Sequence, residues 1–492
     1  MKLNIFTFVI FFFLLTSLFA HDVIISGENT ASYAYRTEDE LVNNHFENIF
    51  NLRLDYRVFS FGMTFRAELP KFDRMNEIPI SELSPNNIHT EWEERYAQLN
   101  FDTFRLKAGT IEESFGSGIV LRAWNDTELD RDRRLEGVQA AYNWNGLKIS
   151  GVYGALRKDI QDLNVYENDL VVGADAEYRL LSFLNFGISA IEYRQRNIWP
   201  YNNSYTYHNV YGGRIGLMTD FFDLTAEYSE LRRFHNIWDP TIGSAIYATT
   251  SIYLNNLTLG GGYKRYSRFD KYPLADLPTL NNYDELLMNY AHTDFEEGFM
   301  AEIRFIPSFD NEFLVYYSLS WDRDDLVSYT NIFTEYKHNL SGMLTKFDFE
   351  YLEKKTKIPE LDDEIIDLLL KPSVNVNLYQ MTIPLDFTFI WQYIEEAYIV
   401  AKKTYNKPFF QIEGRFTDNL TIAVFAENEF TRYQDVDKSR IHVGTSIATS
   451  IANHTDLTLF VGKEQGGRVC RNGVCQYQPP FEGVRLEVIT RF

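Results

Sequence analysis

Long segments of this chain alternate apolar and polar residues one by one, and this period of two constrains the fold more than any other feature. From residue 50 to residue 58 every second residue is apolar: Phe50, Leu52, Leu54, Tyr56 and Val58. Because successive side chains of a β-strand point to opposite faces, such a segment has one apolar face and one polar face. The pattern predicts β-strands whose two faces meet different environments.

The same alternation recurs along the chain. Apolar residues share one face in segments 59–69, 313–321, 343–351 and 484–492. Each segment is about ten residues long, which matches a tilted strand that crosses a bilayer and exceeds the usual globular strand of about five or six residues. The segments therefore predict membrane-spanning strands.

Composition and charge limit the classes of protein. Aromatic residues make up 16% of the 492 residues, with 39 Phe and 32 Tyr, and they suit pleated surfaces and membrane interfaces. The formal net charge of −22 would repel nucleic-acid phosphates, so no nucleic-acid partner is expected. The same acidic excess would favour cations in a lumen, although solubility of the exposed loops is the simpler explanation.

The N-terminus predicts export. Lys2 precedes an apolar run from Ile5 to Phe19, and the small residue Ala20 stands before the polar pair His21-Asp22. This order is typical of a cleaved secretory signal; a retained membrane anchor is the alternative, for which the run is short. We therefore predict a signal peptide over residues 1–20 and a barrel over residues 21–492.

Short turns alternate with longer polar stretches, as in outer-membrane barrels. Short turns are predicted around Val58, Asp102, Asn145-Gly146, Phe221, Asn255, Asp310, Leu385-Asp386, Asp418-Asn419 and Asn453. Longer loops are predicted at 70–92, 115–132, 158–168, 196–207, 235–242, 270–294, 356–370 and 467–480.

This layout predicts an all-β fold, a single-chain transmembrane antiparallel barrel of about 24 strands (22–26). Closure is expected because an open sheet edge leaves backbone amides without partners in hydrocarbon. A soluble propeller or solenoid would show a fixed repeat of about 40–50 residues, which the sequence lacks. An even strand count places both termini in the periplasm, with the bacterial outer membrane as the location.

The C-terminus ends in an alternating strand with an aromatic last residue: Val484, Leu486, Val488 and Phe492. This ending is similar to the signal by which outer-membrane proteins are recognised for assembly. The stretches Gly466–Cys475, Phe481–Val484, Gly116–Arg122 and Leu135–Val138 resemble a family of largely uncharacterised bacterial outer-membrane barrels. The resemblance implies fold and location, with outer-membrane lipid and the barrel-assembly machinery as partners, and no catalytic or ligand residue.

The two cysteines, Cys470 and Cys475, flank Asn472-Gly473, which favours a two-residue hairpin turn. The cysteines would then oppose each other as a non-hydrogen-bonded pair, within reach of a disulfide, and an exported chain meets oxidising conditions. We predict a disulfide in an extracellular loop. A metal half-site is the alternative, but no second Cys/His pair has suitable spacing, so no metal is expected.

The polar faces carry both signs of charge. The residues predicted to face the lumen are Arg53, Asp55, Arg57, Arg66, Glu68, Arg105, Lys107, Lys346, Asp348, Glu350, Arg485, Glu487 and Arg491. They would either select solutes in a pore or pair with one another across neighbouring strands.

Three loop segments carry further predictions. Loop 115–132 either folds inward and narrows the pore or contains another strand at Ile119–Ala123; its residues Asp126, Asp130 and Asp132 suggest Ca²⁺ binding or simple solvation. In loop 356–370, Leu361, Ile365, Leu368 and Leu369 fall at helical spacing and predict a short amphipathic helix. Residues Asp284–Tyr290 are a weaker case of the same kind.

The sequence predicts transport rather than catalysis. Motifs of hydrolases, zinc proteases and nucleotide-binding enzymes are absent, and neither an enzyme activity nor a cofactor is expected. A barrel of about 24 strands is too wide to fill with its own wall side chains, which favours a pore for small solutes with a loop-restricted lumen. The alternatives are a route for apolar solutes, a surface barrel acting as adhesin or membrane anchor for a partner complex, and an outer-membrane hydrolase.

Overall fold

The computed structural model describes most of the chain from Val23 to Phe492. The described residues are 23–37, 43–70, 72–73, 78–79, 88–126, 131–156, 169–199, 202–234, 241–269, 274, 277–280, 295–322, 326–358, 363–398, 401–434, 436–451, 454–471, 474–478 and 480–492. The predicted signal peptide and the helix suggested at Asp284–Tyr290 lie outside these residues.

The described residues fold into strands joined by turns and loops. In chain order the strands are β1 (Val23–Arg36), β2 (Asn44–Tyr56), β3 (Phe59–Leu69), β4 (Phe72–Asp73), β5 (Ile78–Pro79), β6 (His89–Asn100), β7 (Phe104–Ile111), β8 (Glu113–Phe115), β9 (Leu121–Ala123), β10 (Asn125–Asp126), β11 (Arg131–Asp132), β12 (Leu135–Trp144), β13 (Leu147–Leu156), β14 (Leu170–Leu181), β15 (Leu184–Trp199), β16 (Asn202–Met218), β17 (Phe222–Phe234), β18 (Thr241–Leu254), β19 (Leu257–Ser267), β20 (Phe295–Ser308), β21 (Asn311–Trp321), β22 (Val327–Leu340), β23 (Met343–Ile358), β24 (Asp363–Leu378), β25 (Leu385–Tyr398), β26 (Ala401–Thr417), β27 (Leu420–Tyr433), β28 (Val436–Ser450), β29 (Thr455–Glu464), β30 (Gly467–Arg471), β31 (Val474–Gln478) and β32 (Phe481–Arg491). Within the described ranges, no helix is long and apolar enough to cross a membrane.

Twenty-four of these strands form one antiparallel sheet that closes on itself. The last strand, β32, pairs with β29 on one side and with β1 on the other, where Glu28 lies opposite Arg491. The remaining strands form four hairpins, β4–β5, β8–β9, β10–β11 and β30–β31. The prediction of an all-β antiparallel barrel of about 24 strands is confirmed.

The period-two pattern explains the two faces of the wall. On β14 to β17 the outward residues Val172, Ile188, Tyr211 and Tyr228 are all exposed apolar side chains. Their inward neighbours, such as Ser189 and Ser229, are buried. Because the outer face would contact lipid, an apolar exterior costs nothing there and a polar interior is retained for water or for other protein segments.

The two ends of the barrel differ in their connections. One end, here called the short-turn end, carries tight turns such as Asn145-Gly146 and 255–256, in which Asn145, Gly146 and Asn255 adopt positive φ. Strand β1 begins and β32 finishes at this end, since Val23 pairs with Tyr56 beside the turn at 57–58. The opposite end, the loop end, carries connections such as 70–88, 112–134, 268–294 and 465–480.

Several predicted loops are instead strand. β15 ends at Trp199 and β16 begins at Asn202, so most of the predicted loop 196–207 is paired backbone. In the same way β23 ends at Ile358 and β24 begins at Asp363, within the predicted loop 356–370. The amphipathic helix predicted in 356–370 is wrong, because Asp363–Leu378 is strand and Ile365 pairs with Thr356. The turn predicted at Leu385-Asp386 lies earlier, at residues 379–384.

At the loop end the strands extend past the apolar part of the outer face. At the loop end the outward face carries ion pairs in place of apolar residues: Glu230–Arg232 at 2.6 Å, Arg265–Glu297 at 3.9 Å, Glu353–Lys355 at 2.8 Å and Glu395–Lys402 at 2.5 Å. Charges of this kind are costly in hydrocarbon and tolerated outside it. They mark where the wall leaves the lipid, so its strands are longer than a bilayer requires.

Candidate functional site

The connection between β7 and β12 folds into the lumen and packs on the wall. Its hairpin, Glu113–Ala123, is called the plug hairpin below. Phe115, Ile119, Val120 and Leu121 of the plug hairpin are fully buried in one apolar cluster with inward residues of β13 to β18. The wall residues of this cluster are Val152, Val171, Ile191, Val210, Leu231 and Ala245. Both alternatives stated for this loop are therefore found, since it folds inward and Leu121–Ala123 is a short strand.

Polar contacts hold the tip of the plug hairpin. The backbone N–H of Ser117 donates to Glu227 Oε2 of β17 at 2.8 Å. Gly116 precedes it with φ +60°, and a Cβ there would lie 2.6 Å from the same carboxylate oxygen. A glycine is required at this point because of both the left-handed backbone and the close approach to Glu227. Gln139 of β12 also donates to Glu113 Oε2 at 2.5 Å.

A second segment, after β19, packs beside the plug hairpin. Phe269, Leu274 and Leu277 belong to the same buried cluster, and the N–H of Arg122 donates to the Leu274 carbonyl at 2.8 Å. The hydroxyl of Tyr266 donates to the Pro278 carbonyl at 2.7 Å. The two segments therefore support each other as well as the wall.

Burial of the inward side chains differs between the two ends of the barrel. At the short-turn end, the side chains of Arg53, Arg304 and Arg491 face the lumen and are 57%, 45% and 49% exposed. At the loop end, Asn331, Leu352 and Glu464 are no more than 3% exposed. These inward side chains are thus exposed to solvent at the short-turn end and buried at the loop end.

Two of the first three predicted lumen charges form a pair on β2. Arg53 Nε lies 2.8 Å from Asp55 Oδ2, and Ser60 of β3 donates to Asp55 at 2.6 Å. Arg57 is in the turn after β2, with φ +52°, and its guanidinium lies 5.2 Å from the Tyr56 ring centroid. Arg57 therefore stands at the mouth of the barrel instead of on a strand.

The charged residues predicted on β3 and β7 have different contacts. Arg66 contacts Glu93 at 2.6 Å, Glu47 at 3.4 Å and Glu68 at 3.6 Å. Lys107 lies 3.8 Å from Glu94 and 4.1 Å above the Tyr96 ring. Arg105 borders a cavity described below.

The predicted charges on β23 and β32 are also paired across strands. Lys346 bridges Glu335 and Asp348, each at 3.0 Å, and Glu350 accepts a hydrogen bond from Asn331 at 3.3 Å. Arg485 contacts Glu464 at 2.8 Å, and Arg491 contacts Glu28 at 2.9 Å and Asp456 at 2.5 Å. Glu487 lies opposite Ser32 and Thr458. A role of these thirteen residues in selecting solutes stays a prediction.

The remaining predicted site residues are less fully described. The backbones of Cys470 and Cys475 lie opposite each other in β30–β31, and their side chains lie outside the described part, as do those of Asp126 and Asp130. Asp132 accepts hydrogen bonds from Arg134 at 2.8 and 2.9 Å. Among the described residues, no group of three or more His, Cys, Asp or Glu is placed to hold a metal ion.

Sequence reasoning missed the Arg214 cluster. Arg214 donates to both oxygens of Asp175, at 2.6 and 2.8 Å, to Glu177 at 3.2 Å and to Ser189 at 3.0 Å. It also missed the apolar inner wall that receives the plug hairpin. The available signal was a loss of alternation, because Val171-Val172 and Val210-Tyr211 are apolar on both faces.

A cavity of about 570 Å³ lies against the tip of the plug hairpin, toward the short-turn end. Its charged lining residues are Arg105, Glu113, Lys148, Asp175, Glu177, Arg214 and Glu227. Asn143, Asn185, Thr225 and Tyr247 supply further polar groups. The volume falls in the range of pockets that take small organic molecules.

Comparisons with known proteins agree with the fold. A family model described as "Family of unknown function (DUF6029)" matches residues 1–294. Among solved structures, the siderophore receptor PirA from Pseudomonas aeruginosa is 8% identical with a TM-score of 0.50, over 95% of this chain and 80% of that one. The P pilus usher PapC translocation pore is 10% identical with a TM-score of 0.47, over 95% and 99%. No curated protein matches the chain.

Proposed function

Because this chain belongs to DUF6029, a family of unknown function whose model matches 294 of its 492 residues, we propose its function from the geometry of the barrel. The chain is an outer-membrane barrel that passes small hydrophilic solutes through a lumen restricted by its own inward loop. Its apolar exterior contacts outer-membrane lipid, its termini face the periplasm, and the barrel-assembly machinery inserts it.

The observation that carries this proposal is the difference in burial along the lumen. Inward arginines at the short-turn end are about half exposed, so water enters there, whereas toward the loop end the plug hairpin and the segment after β19 pack into the lumen against the inner wall of β13 to β18. The solvent-exposed lumen at the short-turn end is called the vestibule below. A closed barrel wall with such a vestibule and a loop packed into the lumen is the arrangement expected of a restricted passage. The paired charges of the vestibule wall favour polar solutes over apolar ones.

Single-channel recording in planar bilayers tests this function. The unmodified protein is expected to give small conductance steps. A variant in which a short Gly-Ser linker replaces Glu113–Ala123 is expected to give steps several-fold larger, because the packed plug no longer blocks the loop end. Ser114→Ala, which removes only an exposed hydroxyl of the same hairpin, is the matched control and keeps the original steps.

Two outcomes would contradict the proposal. A linker variant that inserts and retains its β-structure, yet conducts like the unmodified barrel, would show that the plug hairpin does not restrict passage. If both proteins insert and neither conducts, the barrel is a surface scaffold, an adhesin or a membrane anchor for a partner complex. β-Structure is checked by circular dichroism in the same detergent.

A further inference from the structure

The charged residues that line the cavity at the plug tip fall into three groups, which differ in their contacts. Asp175 and Glu177 are both held by Arg214, whose guanidinium makes a two-pronged contact with Asp175. Such a pair is geometrically fixed, and its charges are largely satisfied by each other. The two carboxylates share this single cation, so the group has a formal net charge of −1, and it lies between the two other charged parts of the cavity.

The first of these parts is cationic and lies at the short-turn end. Arg105 and Lys148 are each the second residue of their strands, β7 and β13, and both are exposed to the cavity. Arg179, near the end of β14, is exposed at the same end of the barrel outside the cavity lining, and its N–H donates to the carbonyl of Gly146 in the turn before β13. Within the described residues none of these three side chains forms an ion pair or a hydrogen bond.

The second part is anionic and belongs to the roof made by the plug hairpin. Glu113 accepts hydrogen bonds from Gln139 and from the Ser114 N–H, and Glu227 accepts one from the Ser117 N–H. All three donors are neutral. In the described part of the chain no cation lies within ion-pair distance of either carboxylate, and the nearest one in register is Arg214, which lies opposite Glu227 on β16 and contacts Asp175 and Glu177 instead.

A cavity with free cations at one end and free carboxylates at the other is complementary to a molecule with both charges. A solute carrying only one charge would satisfy one end and be repelled by the other, at a cost that low-dielectric walls increase. The open vestibule gives access from the short-turn end, where the cations stand.

We propose that this cavity binds a small zwitterion of short-peptide size, with its carboxylate at Arg105 and Lys148 and its ammonium group at Glu113 and Glu227. The inference deepens the proposed function by naming the class of solute, and it rests on that function only for the statement that the bound molecule is in transit. Binding itself does not require the barrel to conduct.

Isothermal titration calorimetry on the full, detergent-folded chain tests the site with trialanine as the probe. N-acetyl-trialanine lacks the ammonium charge, and trialanine amide lacks the carboxylate. The unmodified chain is expected to bind trialanine at least tenfold more tightly than either analogue. Equal binding of all three, or no binding of any, would overturn the proposal without the use of a variant.

Two variants assign the two ends. Arg105→Gln with Lys148→Gln is expected to lose the preference for trialanine over the amide and to keep the preference over the acetyl analogue. Glu113→Gln is expected to do the opposite, since its amide can still accept from Gln139. Arg232→Gln, on the outer face, is the control and changes neither preference.

The results separate the two proposals. Discrimination by calorimetry together with silence in bilayers keeps the binding site and rejects transport. Conductance without discrimination keeps the pore and rejects the zwitterion site. Preferences that survive both variants would place any binding elsewhere in the barrel and contradict the assignment.

Discussion

At the scale of single residues, Arg214 shows how an inward charge is stabilised in this wall. Its guanidinium lies flat across β15, where a Cβ at Gly187 would come within 2.4 Å of the Arg214 Cζ atom. The glycine leaves room for the arginine to reach Asp175 and Glu177 on the far side of that strand. A side chain at position 187 would therefore clash with the Arg214 guanidinium.

Removal of the Arg214 guanidinium should be costly. Arg214→Ala leaves Asp175 and Glu177 beside each other without their cation, and we expect a loss of about 3 kcal/mol in the free energy of unfolding. Arg232→Ala breaks an ion pair of equal length, 2.6 Å, that is exposed on the outer face, and should cost less than about 1 kcal/mol. Urea unfolding of both variants in lipid vesicles, followed by tryptophan fluorescence, makes the comparison. Equal losses would show that the Arg214 cluster is not a stabilising pair.

The sequence predicted the face of a residue more reliably than its partner. Alternation groups Arg53, Lys346 and Arg485 on the polar face of their strands, opposite apolar residues such as Phe347 and Val484, which are exposed. It does not give the register of neighbouring strands, which here shifts between Thr64 and Phe65, so the contact of Arg66 with Glu93 of β6 could not be predicted. Arg57 and Arg214 show the limit of the alternation pattern. A turn decides the position of Arg57, and the lack of a side chain at Gly187 decides that of Arg214.

At the scale of elements, the strands have two zones along their outer face. Apolar residues such as Tyr228 cover the middle of β17, and the ion pair Glu230–Arg232 follows toward the loop end. Ile242 of β18 pairs with Arg232 and is exposed in this second zone. The change from one zone to the other predicts the depth at which the lipid stops.

Arginine substitutions at two depths test the position of this boundary. Ile215→Arg should cost about 2–4 kcal/mol in lipid, because Ile215 is an outward residue that pairs with Ala226, four residues before Glu230, and the cation would lie deep in the hydrocarbon. Ile242→Arg, also an outward apolar position, should cost about 0–1 kcal/mol because it lies beyond the hydrocarbon. Unfolding titrations in vesicles measure both. A similar cost at both positions would show that the lipid covers the whole strand.

The hairpin β30–β31 carries a prediction of its own. Its register places Cys470 opposite Cys475, which is the arrangement that a cross-strand disulfide needs. Mass analysis of tryptic peptides without reduction should show the two cysteines linked in protein isolated from the outer membrane. Quantitative labelling of free thiols in the folded, unreduced protein would contradict this.

Element type followed from the sequence, and element length did not. The ten-residue estimate came from the bilayer, whereas β16 and β24 extend beyond it and absorb predicted loop residues. The helix predicted at 361–369 failed for a related reason. Acidic residues at the loop end of β24 imitate the polar face of a helix, while cross-strand pairing with β23 decides the backbone.

At the scale of the whole molecule, closure depends on the contact between the two ends of the chain. Phe492 exchanges backbone hydrogen bonds with Gly27, at 2.9 and 3.1 Å, and its ring stacks on Phe50 at 6.1 Å. The residue predicted as the assembly signal thus also lies where the first strand meets the last. The prediction of one closed sheet needed only the alternation and the requirement that no edge remain in lipid.

Loss of the terminal ring should lower the amount of assembled barrel. Phe492→Ala is expected to reduce the level of folded protein in the outer membrane several-fold, because both the assembly signal and the packing at the seam are weakened. Phe309→Ala, at a turn where the ring is fully exposed, is the control and should leave the level unchanged. Quantitative blotting of membrane fractions is the measurement, and equal levels for both variants would reject the role of Phe492.

The ion pairs above the apolar zone also have a consequence for what can reach this protein from outside. From Glu230 to Phe234, at about 3.3 Å per residue and a tilt of about 40°, β17 rises roughly 10 Å past the hydrocarbon. With the termini in the periplasm, as proposed above, this charged rim projects from the outer surface of the membrane. A reagent that binds the rim from the side would then reach the barrel without entering its lumen.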